Sequence, residues 1–216
     1  LDDTAVVVMA MDRARRNDGY KGFDGSIDRA VEWIEGLQSK DGGFAAFDAD
    51  NLEHYLNNIP FSDHAALLDP PTEDVTARCV SMLAQLGKTV DTSEVMARAV
   101  EYLRKTQLAE GSWYGRWGLN YIYGTWSVLC ALNAAGVSHS DPMMVKAADW
   151  LKGIQNDDGG WGEDGASYKL DYSGFEAAPS TASQTAWSLL ALMAAGQADD
   201  PSVARGVAYL MKTQNN

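Results

Sequence analysis

Cysteine and histidine are scarce in this chain of 216 residues, which contains only Cys79, Cys130 and three histidines. The two cysteines are far apart and lack the short paired spacing of zinc sites. Each lies in an apolar stretch typical of a helix. The sequence therefore predicts two buried free thiols rather than a disulfide or a metal centre.

Basic residues are also few, with 17 Lys and Arg against 30 Asp and Glu, so the formal net charge is −13. Such a surface repels phosphate backbones, which excludes nucleic acid as an expected partner. No basic cluster could hold an anionic membrane, and no apolar run is long enough to span a bilayer. The 46% hydrophobic content suits one globular domain with a sizeable core.

A repeated block is the most informative feature that is present. It begins with a glutamine, continues through a Gly-rich turn and ends with an aromatic residue, at 38–44, 107–113 and 155–161. A fourth copy starts at Gln214. Recurrence of one supersecondary unit is typical of repeat architectures. Because the chain opens at Leu1 and stops within a repeat, we expect a piece of a longer protein.

Two kinds of predicted helix alternate between these blocks. Those apolar on all sides belong in the interior, and the amphipathic ones outside. The inner segments are 4–14, 75–86, 125–135 and 185–195, and the outer segments are 26–38, 93–107, 142–155 and 201–214. Threonines near the inner starts are expected to cap them, and the glycines that follow to end them.

This alternation predicts an all-α fold, an α/α toroid in which inner and outer helix pairs form a barrel. Residues 1–216 are interpreted as a single catalytic domain of that kind, incomplete in this chain.

Two adjacent acids, Asp2 and Asp3, stand at the head of the first inner helix. Acids in a first helical turn are often only favourable to the helix dipole. If the inner helix ends point into a cavity, however, two crowded and poorly solvated carboxyl groups would keep a proton on one of them. The residues alone leave both interpretations open.

Further candidates lie on or before the next inner helices. Asp74 and Arg78 are four residues apart and share a helix face. An arginine in so apolar a helix needs carboxylate partners, which Asp2 or Asp3 could supply. Trp117 and Tyr123 lie near the start of a third inner helix, where aromatic faces could stabilise a cation or simply pack the repeat.

Together these motifs resemble the squalene–hopene cyclases, bacterial members of the triterpene cyclases, over essentially the whole chain. The resemblance rests on residues 1–5, 47–51, 59–61, 69–77, 115–118 and 120–125, and on the glutamine–aromatic repeats. It implies that squalene, an apolar substrate, is protonated at its terminal alkene and cyclised through carbocations to hopene or hopanol. It also implies no metal or organic cofactor.

The resemblance assigns roles residue by residue. Asp2 matches the proton-donating acid and Asp3 the acid beside it, with Arg78 as their partner. The matching cavity-lining residues are Phe47, Phe61, Trp117 and Tyr123, and those of the polar network around the acid are Asp69, Asp74 and again Tyr123. The first Asp of the family's acid motif would precede Leu1.

Three positions depart from the family pattern: Arg78 replaces a histidine, Phe47 a tyrosine and His64 an aromatic residue. Asp3 stands where cyclases of oxidosqualene carry cysteine, which favours squalene as substrate. The resemblance further implies a homodimer and monotopic association with the cytoplasmic side of the bacterial inner membrane.

Two alternatives remain. One is another terpene or prenyl enzyme, or a glycosidase, of the α/α-toroid class. The other is a non-catalytic helical repeat that binds a partner.

Overall fold

The computed structural model describes residues 1–50, 55–56, 69–168 and 174–214. Within these ranges eight α-helices follow one another along the chain, and a small hairpin precedes the seventh. They are α1 (Asp2–Asp18), α2 (Asp24–Gly36), α3 (Glu73–Gln85), α4 (Glu94–Thr106), α5 (Tyr121–Ala134), α6 (Pro142–Gly153), α7 (Ala182–Ala194) and α8 (Pro201–Thr213). No helix in these ranges combines the length and the apolar character needed to cross a membrane.

The chain divides into two compact units, Leu1–Leu103 and Arg104–Asn216. In the first, α1 packs against α3 and α2 packs against α1. In the second, α5 packs against α7, while α6 and α8 both pack against α7. Thus the odd-numbered, inner helices contact one another within each unit, as the alternating pattern predicts.

Each repeat is held by one glutamine amide. In the second repeat, Gln107 Nε2 donates to the carbonyl of Gly111, 2.8 Å away in the following turn, and to that of Met143, 2.9 Å away in the first turn of α6. The same two bonds recur from Gln38 to Gly42 and Val95, and from Gln155 to Gly159 and Ser202. Each amide therefore joins its own turn to the start of the next outer helix.

The turn glycine permits this joint for two reasons. Gly111 has a φ of +117°, a region that L side chains rarely adopt. A Cβ there would also lie 2.6 Å from the carbonyl oxygen of Lys146 on α6. Gly42 and Gly159 also have positive φ angles, +97° and +89°. A Cβ on either would lie 2.5 Å or 2.8 Å, respectively, from a backbone carbonyl oxygen of the next outer helix. Only glycine allows the chain to reverse so near a neighbouring backbone.

Thr125 and Thr185 lie inside the inner helices and do not cap them, so this prediction was wrong for both; α7 is capped instead by Thr181, whose hydroxyl accepts the Gln184 N–H at 3.2 Å. Helix α5 begins at Tyr121, and Thr125 lies in its second turn, where its buried hydroxyl accepts the Trp113 N–H at 3.1 Å. Thr76 accepts the N–H of Phe44, and Thr185 that of Trp161, in the same way. The hydroxyl is used to anchor the aromatic residue of the repeat to the next inner helix.

Other local predictions are confirmed. Gly87, Gly136 and Gly196 follow α3, α5 and α7 with positive φ values of 87°, 80° and 75°, as expected of C′ residues. Asp141 and Asp200 each cap a helix that begins with proline. Cys79 is buried as predicted, whereas Cys130 is only partly buried, and neither forms a disulfide in the described part of the chain.

A small antiparallel hairpin in the second unit was not predicted from the sequence. Strand β1 (Trp161–Glu163) pairs with β2 (Ala177–Thr181), with Trp161 opposite Thr181 and Glu163 opposite Ala177. The register shifts between these two pairs, as at a β-bulge. At three and five residues the strands are too short to produce a recognisable alternation.

An ionic cluster around the buried Asp12 carboxylate connects α1 to the end of α3. The Asp12 carboxylate, which is fully buried, lies 2.6 Å from Arg15 and 2.9 Å from Arg16. It also accepts a 2.8 Å hydrogen bond from Gln85, the last residue of α3. Burial acts to raise the pKa of Asp12, but hydrogen bonds from Gln85 and the two arginines outweigh it and lower that pKa.

Replacing Gln107 by Ala should lower the free energy of unfolding by about 1–3 kcal/mol, because two carbonyl groups lose their shared donor. Urea denaturation measures the change. Gln197→Ala is the matched control, since its side chain makes no hydrogen bond in the described part of the chain, and it should stay within about 0.5 kcal/mol of the parent. Equal changes in the free energy of unfolding for both substitutions would contradict a stabilising role of the glutamine joint.

Asp12→Asn should destabilise the protein at neutral pH by about 2 kcal/mol, because charged hydrogen bonds are lost. The folded pKa of Asp12 is lowered, so its stabilisation is present above the unfolded value of about 3.9 and is lost as pH falls through the folded value. Melting temperatures of parent and variant should therefore converge in acid. The control is the exposed Asp28→Asn, which should leave the dependence of the melting temperature on pH unchanged. A difference in melting temperature between parent and Asp12→Asn that stays constant with pH would contradict this account.

Candidate active site

The two candidate acids differ in their surroundings. Asp2 is half-buried, and its Oδ1 accepts the N–H of Asp3 at 2.9 Å, whereas the Asp3 side chain is exposed. The backbone nitrogen of Leu1 donates to the Ala46 carbonyl at 2.8 Å. This contact brings the start of α1 to the segment that carries Phe47, whose side chain is exposed.

Helix α1 packs against α3, which carries Cys79 and the half-buried Arg78 beside it in sequence. Burial raises the pKa of the Cys79 thiol to about 12, and the negative charge of Asp2 contributes to the rise. That Asp2 and Arg78 act together stays a prediction.

Three acids gather at the start of α3. The exposed fractions are 3% for Asp69, 9% for Glu73 and 2% for Asp74. Asp74 Oδ1 accepts the Thr72 hydroxyl at 2.7 Å and the Val75 N–H at 3.0 Å. Asp69 and Asp74 were candidates from the sequence, whereas Glu73 was not singled out, and only its position in an acidic cluster could have pointed to it.

The segment before α3 is held rigidly. The N–H of Thr72 donates to the Phe44 carbonyl at 3.1 Å, and the Tyr102 hydroxyl donates to the Pro71 carbonyl at 2.9 Å. These bonds connect the acids of α3 to the aromatic residue of the first repeat. The repeat therefore positions the polar groups of this unit directly.

In the second unit, a tight loop carries Trp117 and leads into α5. Both the Gly115 N–H and the Gly124 N–H donate to the Asn120 carbonyl at 2.9 Å, which closes the loop. The buried Arg116 guanidinium lies 5.9 Å from the centroid of the half-buried Trp117 ring, within the range of a cation–π contact. Trp117 is thereby held on one side by a fixed charge.

The Tyr123 ring rests on the same loop. A Cβ on Gly118 would lie 2.4 Å from this ring, so the glycine lets Tyr123 pack against the residue next to Trp117. Tyr123 also contacts Trp187 edge-to-face at 5.2 Å and Trp126 at 5.5 Å, and the two tryptophans stack at 5.6 Å. Tyr123 therefore belongs to an aromatic cluster with Trp126 and Trp187, and it packs against the residue that follows Trp117.

Trp126 and Trp187 were not among the site residues predicted from the sequence. A signal existed, because both tryptophans precede a serine in the first half of an apolar helix, at matching positions of α5 and α7. Of the predicted residues, the first unit holds Asp2, Asp3, Phe47, Asp69, Asp74 and Arg78, and the second holds Trp117 and Tyr123. Phe61 and His64 lie outside the described residues.

No cluster of His, Cys, Asp and Glu that could hold a metal ion occurs in the ranges that the structure describes.

Comparisons with known proteins agree with this organisation. A family model described as "Squalene-hopene cyclase C-terminal domain" matches residues 1–216. The chain is 76% identical over 215 residues to a squalene–hopene cyclase of Bradyrhizobium diazoefficiens, covering 100% of this chain and 33% of the relative. It is 43% identical over 236 residues to a dammaradiene synthase of Dryopteris crassirhizoma, covering 99% of this chain and 34% of that protein.

Among solved structures, the chain is similar to an ent-copalyl diphosphate synthase from Streptomyces platensis. The TM-score is 0.67 at 20% sequence identity, over 99% of this chain and 35% of the other. At that identity the likeness concerns the fold alone. Together with the eight alternating helices, it confirms the predicted all-α, α/α-toroid class.

The fold and the family match therefore define the class: the chain belongs to the squalene–hopene cyclase family, and it corresponds to the C-terminal domain of that family. It spans about a third of the length of the curated relatives that it matches.

Gly118→Ala should displace the Tyr123 ring, because the added methyl group has no room beside it. The near-ultraviolet circular dichroism of the aromatic cluster should change while the far-ultraviolet helix signal persists. Gly153→Ala is the control, since a Cβ there meets no atom within 4 Å. An unchanged near-ultraviolet spectrum in Gly118→Ala would contradict the packing described.

Proposed function

We propose that the full-length protein is a squalene–hopene cyclase that converts squalene to hopene or hopanol by acid-initiated polycyclisation. The observation that carries the proposal is the half-buried Asp2 at the head of α1, a helix that packs against α3, which bears Arg78. Family membership supports the reaction class, and the names of close relatives support the substrate.

The reaction begins with a proton transfer. The Asp2 carboxyl group gives its proton to the terminal double bond of squalene, whose π electrons form the new C–H bond and leave a tertiary cation. Successive double bonds attack this cation, and each ring closure forms one C–C bond and moves the charge onward. The last cation loses a proton to give hopene, or it takes up water and then loses a proton from the oxygen to give hopanol. An acid able to protonate an alkene needs a dry site and close placement.

Arg78 acts on the charge that remains. Once the proton has left, the Asp2 carboxylate is stabilised by the guanidinium, which raises the acid strength. Arginine stays protonated and cannot relay a proton, so water must return one to Asp2 for the next turnover. This is the consequence of having arginine where the family pattern has histidine.

The aromatic and polar groups have separate tasks. Trp117, Tyr123 and Phe47 offer ring faces to the developing cations, each contact being worth about 0.5–2 kcal/mol. Asp69 and Asp74 belong to the polar network around the acid. Asp3, in place of cysteine, favours the stronger acid that squalene requires over the weaker one that suffices for an epoxide.

We also propose that the full-length protein is a homodimer that binds one leaflet on the cytoplasmic side of the bacterial inner membrane. Family membership supports both points, and squalene, an apolar molecule that dissolves in bilayers and not in water, adds support for the membrane association alone. Flotation with liposomes and sedimentation analysis in detergent test the two points. A monomer that stays with the soluble fraction would reject both.

The direct test incubates the full-length protein with squalene and, separately, with oxidosqualene, and identifies the products by gas chromatography and mass spectrometry. We expect pentacyclic hopene or hopanol from squalene. A different carbon skeleton would place the protein with relatives such as the dammaradiene synthase. Failure to consume squalene while oxidosqualene is consumed would overturn the substrate assignment.

Asp2→Asn in the full-length protein should lower squalene turnover by at least about a hundredfold, because the amide cannot donate the initiating proton. The side chain keeps its size, so the melting temperature should change little. Exposed Asp91→Asn serves as the control and should retain parental turnover. Substantial activity in Asp2→Asn would reject this residue as the acid.

A further inference from the structure

The first turn of α5 is held by a carboxylate from a distant part of the chain. Glu163, which is only 4% exposed, lies at the bulge of the β1–β2 hairpin. Its Oε2 accepts the N–H groups of Asn120 at 2.9 Å and Ile122 at 3.0 Å, and its Oε1 accepts that of Tyr121 at 2.9 Å. The Ser167 hydroxyl adds a fourth bond at 2.7 Å.

Three consecutive backbone donors therefore converge on one carboxylate. The first N–H groups of a helix have no partner within the helix, and the positive end of the helix dipole favours an anion there. The residue at the cap position, Asn120, makes no capping bond with its own side chain. Its amide is buried, and neither its oxygen nor its nitrogen has a partner in the described part of the chain. Glu163 thus takes the place of the local cap.

Glu163 is itself fixed to the start of α7. Its N–H donates to Gln184 Oε1 at 3.1 Å, and Gln184 Nε2 donates back to the Glu163 carbonyl at 3.2 Å. The Thr181 hydroxyl donates to the same Gln184 oxygen at 2.9 Å. One residue consequently links the starts of α5 and α7, the two helices that supply Tyr123, Trp126 and Trp187.

The rings near this cap depend on where the first turn of α5 lies. Tyr121 contacts Tyr114 edge-to-face at 5.4 Å, and its hydroxyl accepts the Gly174 N–H at 3.1 Å. Tyr123 follows two residues later and lies between Gly118 and Trp187. A small displacement of this turn would move both rings, and misplacements of about 1 Å can cost a hundredfold in rate.

We propose that Glu163 is a positioning residue for cyclisation. By binding three N–H groups of α5 while anchored to α7, it sets the aromatic rings that face the developing cations. The inference rests on the cyclase function proposed above. It assigns Glu163 no contact with substrate and no proton transfer.

The test substitutes Glu163→Gln in the full-length protein. The variant keeps the size of the side chain, but its amide nitrogen can only donate, so at least one of the three N–H groups loses its acceptor. With squalene, we expect kcat to fall about tenfold and KM to stay within about twofold, since placement of rings for the cations and not substrate uptake is disturbed. The share of incompletely cyclised products should rise.

Glu176→Gln is the matched control, because Glu176 lies next to the same hairpin and its side chain is exposed. Kinetics, products and amide hydrogen exchange should all remain parental in this variant. In Glu163→Gln, the amides of Asn120, Tyr121 and Ile122 should exchange faster than in the parent. Ser167→Ala removes the fourth bond to Glu163 together with the 2.8 Å contact of the same hydroxyl with the Asp164 carbonyl. It should change exchange and products in the same direction but less.

The outcomes separate the two proposals. If the parent does not turn over squalene, the cyclase function fails, and hydrogen exchange alone decides the capping role of Glu163. If folded Glu163→Gln keeps parental exchange, kcat and product pattern, the positioning role is overturned. If Glu163→Gln does not fold, Ser167→Ala decides: parental exchange and products in that variant overturn the proposal.

Discussion

Two hydrogen bonds from a single glutamine amide connect each turn to the outer helix that follows, and the order of each unit depends on this joint. In the second repeat, Gln107 fixes Gly111 and Met143 relative to each other. The turn then delivers Trp113 to a place where its N–H reaches Thr125 on α5. A chain of three short contacts therefore leads from an outer helix to the start of an inner one. The glutamine joint takes no part in the proposed reaction, but it determines where the residues of the candidate site lie.

Carboxylates lie at the starts of three inner helices. Asp2 and Asp3 lie in the first turn of α1, Glu73 and Asp74 in that of α3, and Glu163 binds the first turn of α5 from elsewhere in the chain. The unpaired N–H groups and the dipole make these positions favourable for negative charge. At α5 the Glu163 carboxylate accepts the hydrogen bonds of these N–H groups and has no proposed contact with substrate. At α1 the acid is half-buried beside α3, and we propose that it serves catalysis.

Local signals in the sequence were enough for the helices, their order and several of their ends. Gly87 ends α3, and Asp141 begins α6 before a proline, because such residues act through their immediate neighbours. The role of Thr125 was misjudged, since its partner lies twelve residues earlier in a different element. Glu163 and Trp187 escaped notice for the same reason, as their importance depends on contacts between segments distant in sequence. For Asp2 the residues left two interpretations open, because adjacent acids at a helix start are ordinarily caps, and the family motif then favoured the acid.

The central claim is that a carboxyl group of this domain starts the reaction by transferring a proton to an alkene. The most direct measurement lets the full-length protein turn over squalene in deuterium oxide and determines the carbon-bound deuterium of the product by mass spectrometry. The account predicts one carbon-bound deuterium per product molecule, in the methylene group next to the gem-dimethyl carbon of the first ring formed, because the acid exchanges its proton with solvent. A cyclised product that carries no carbon-bound deuterium would contradict initiation by an exchangeable acid.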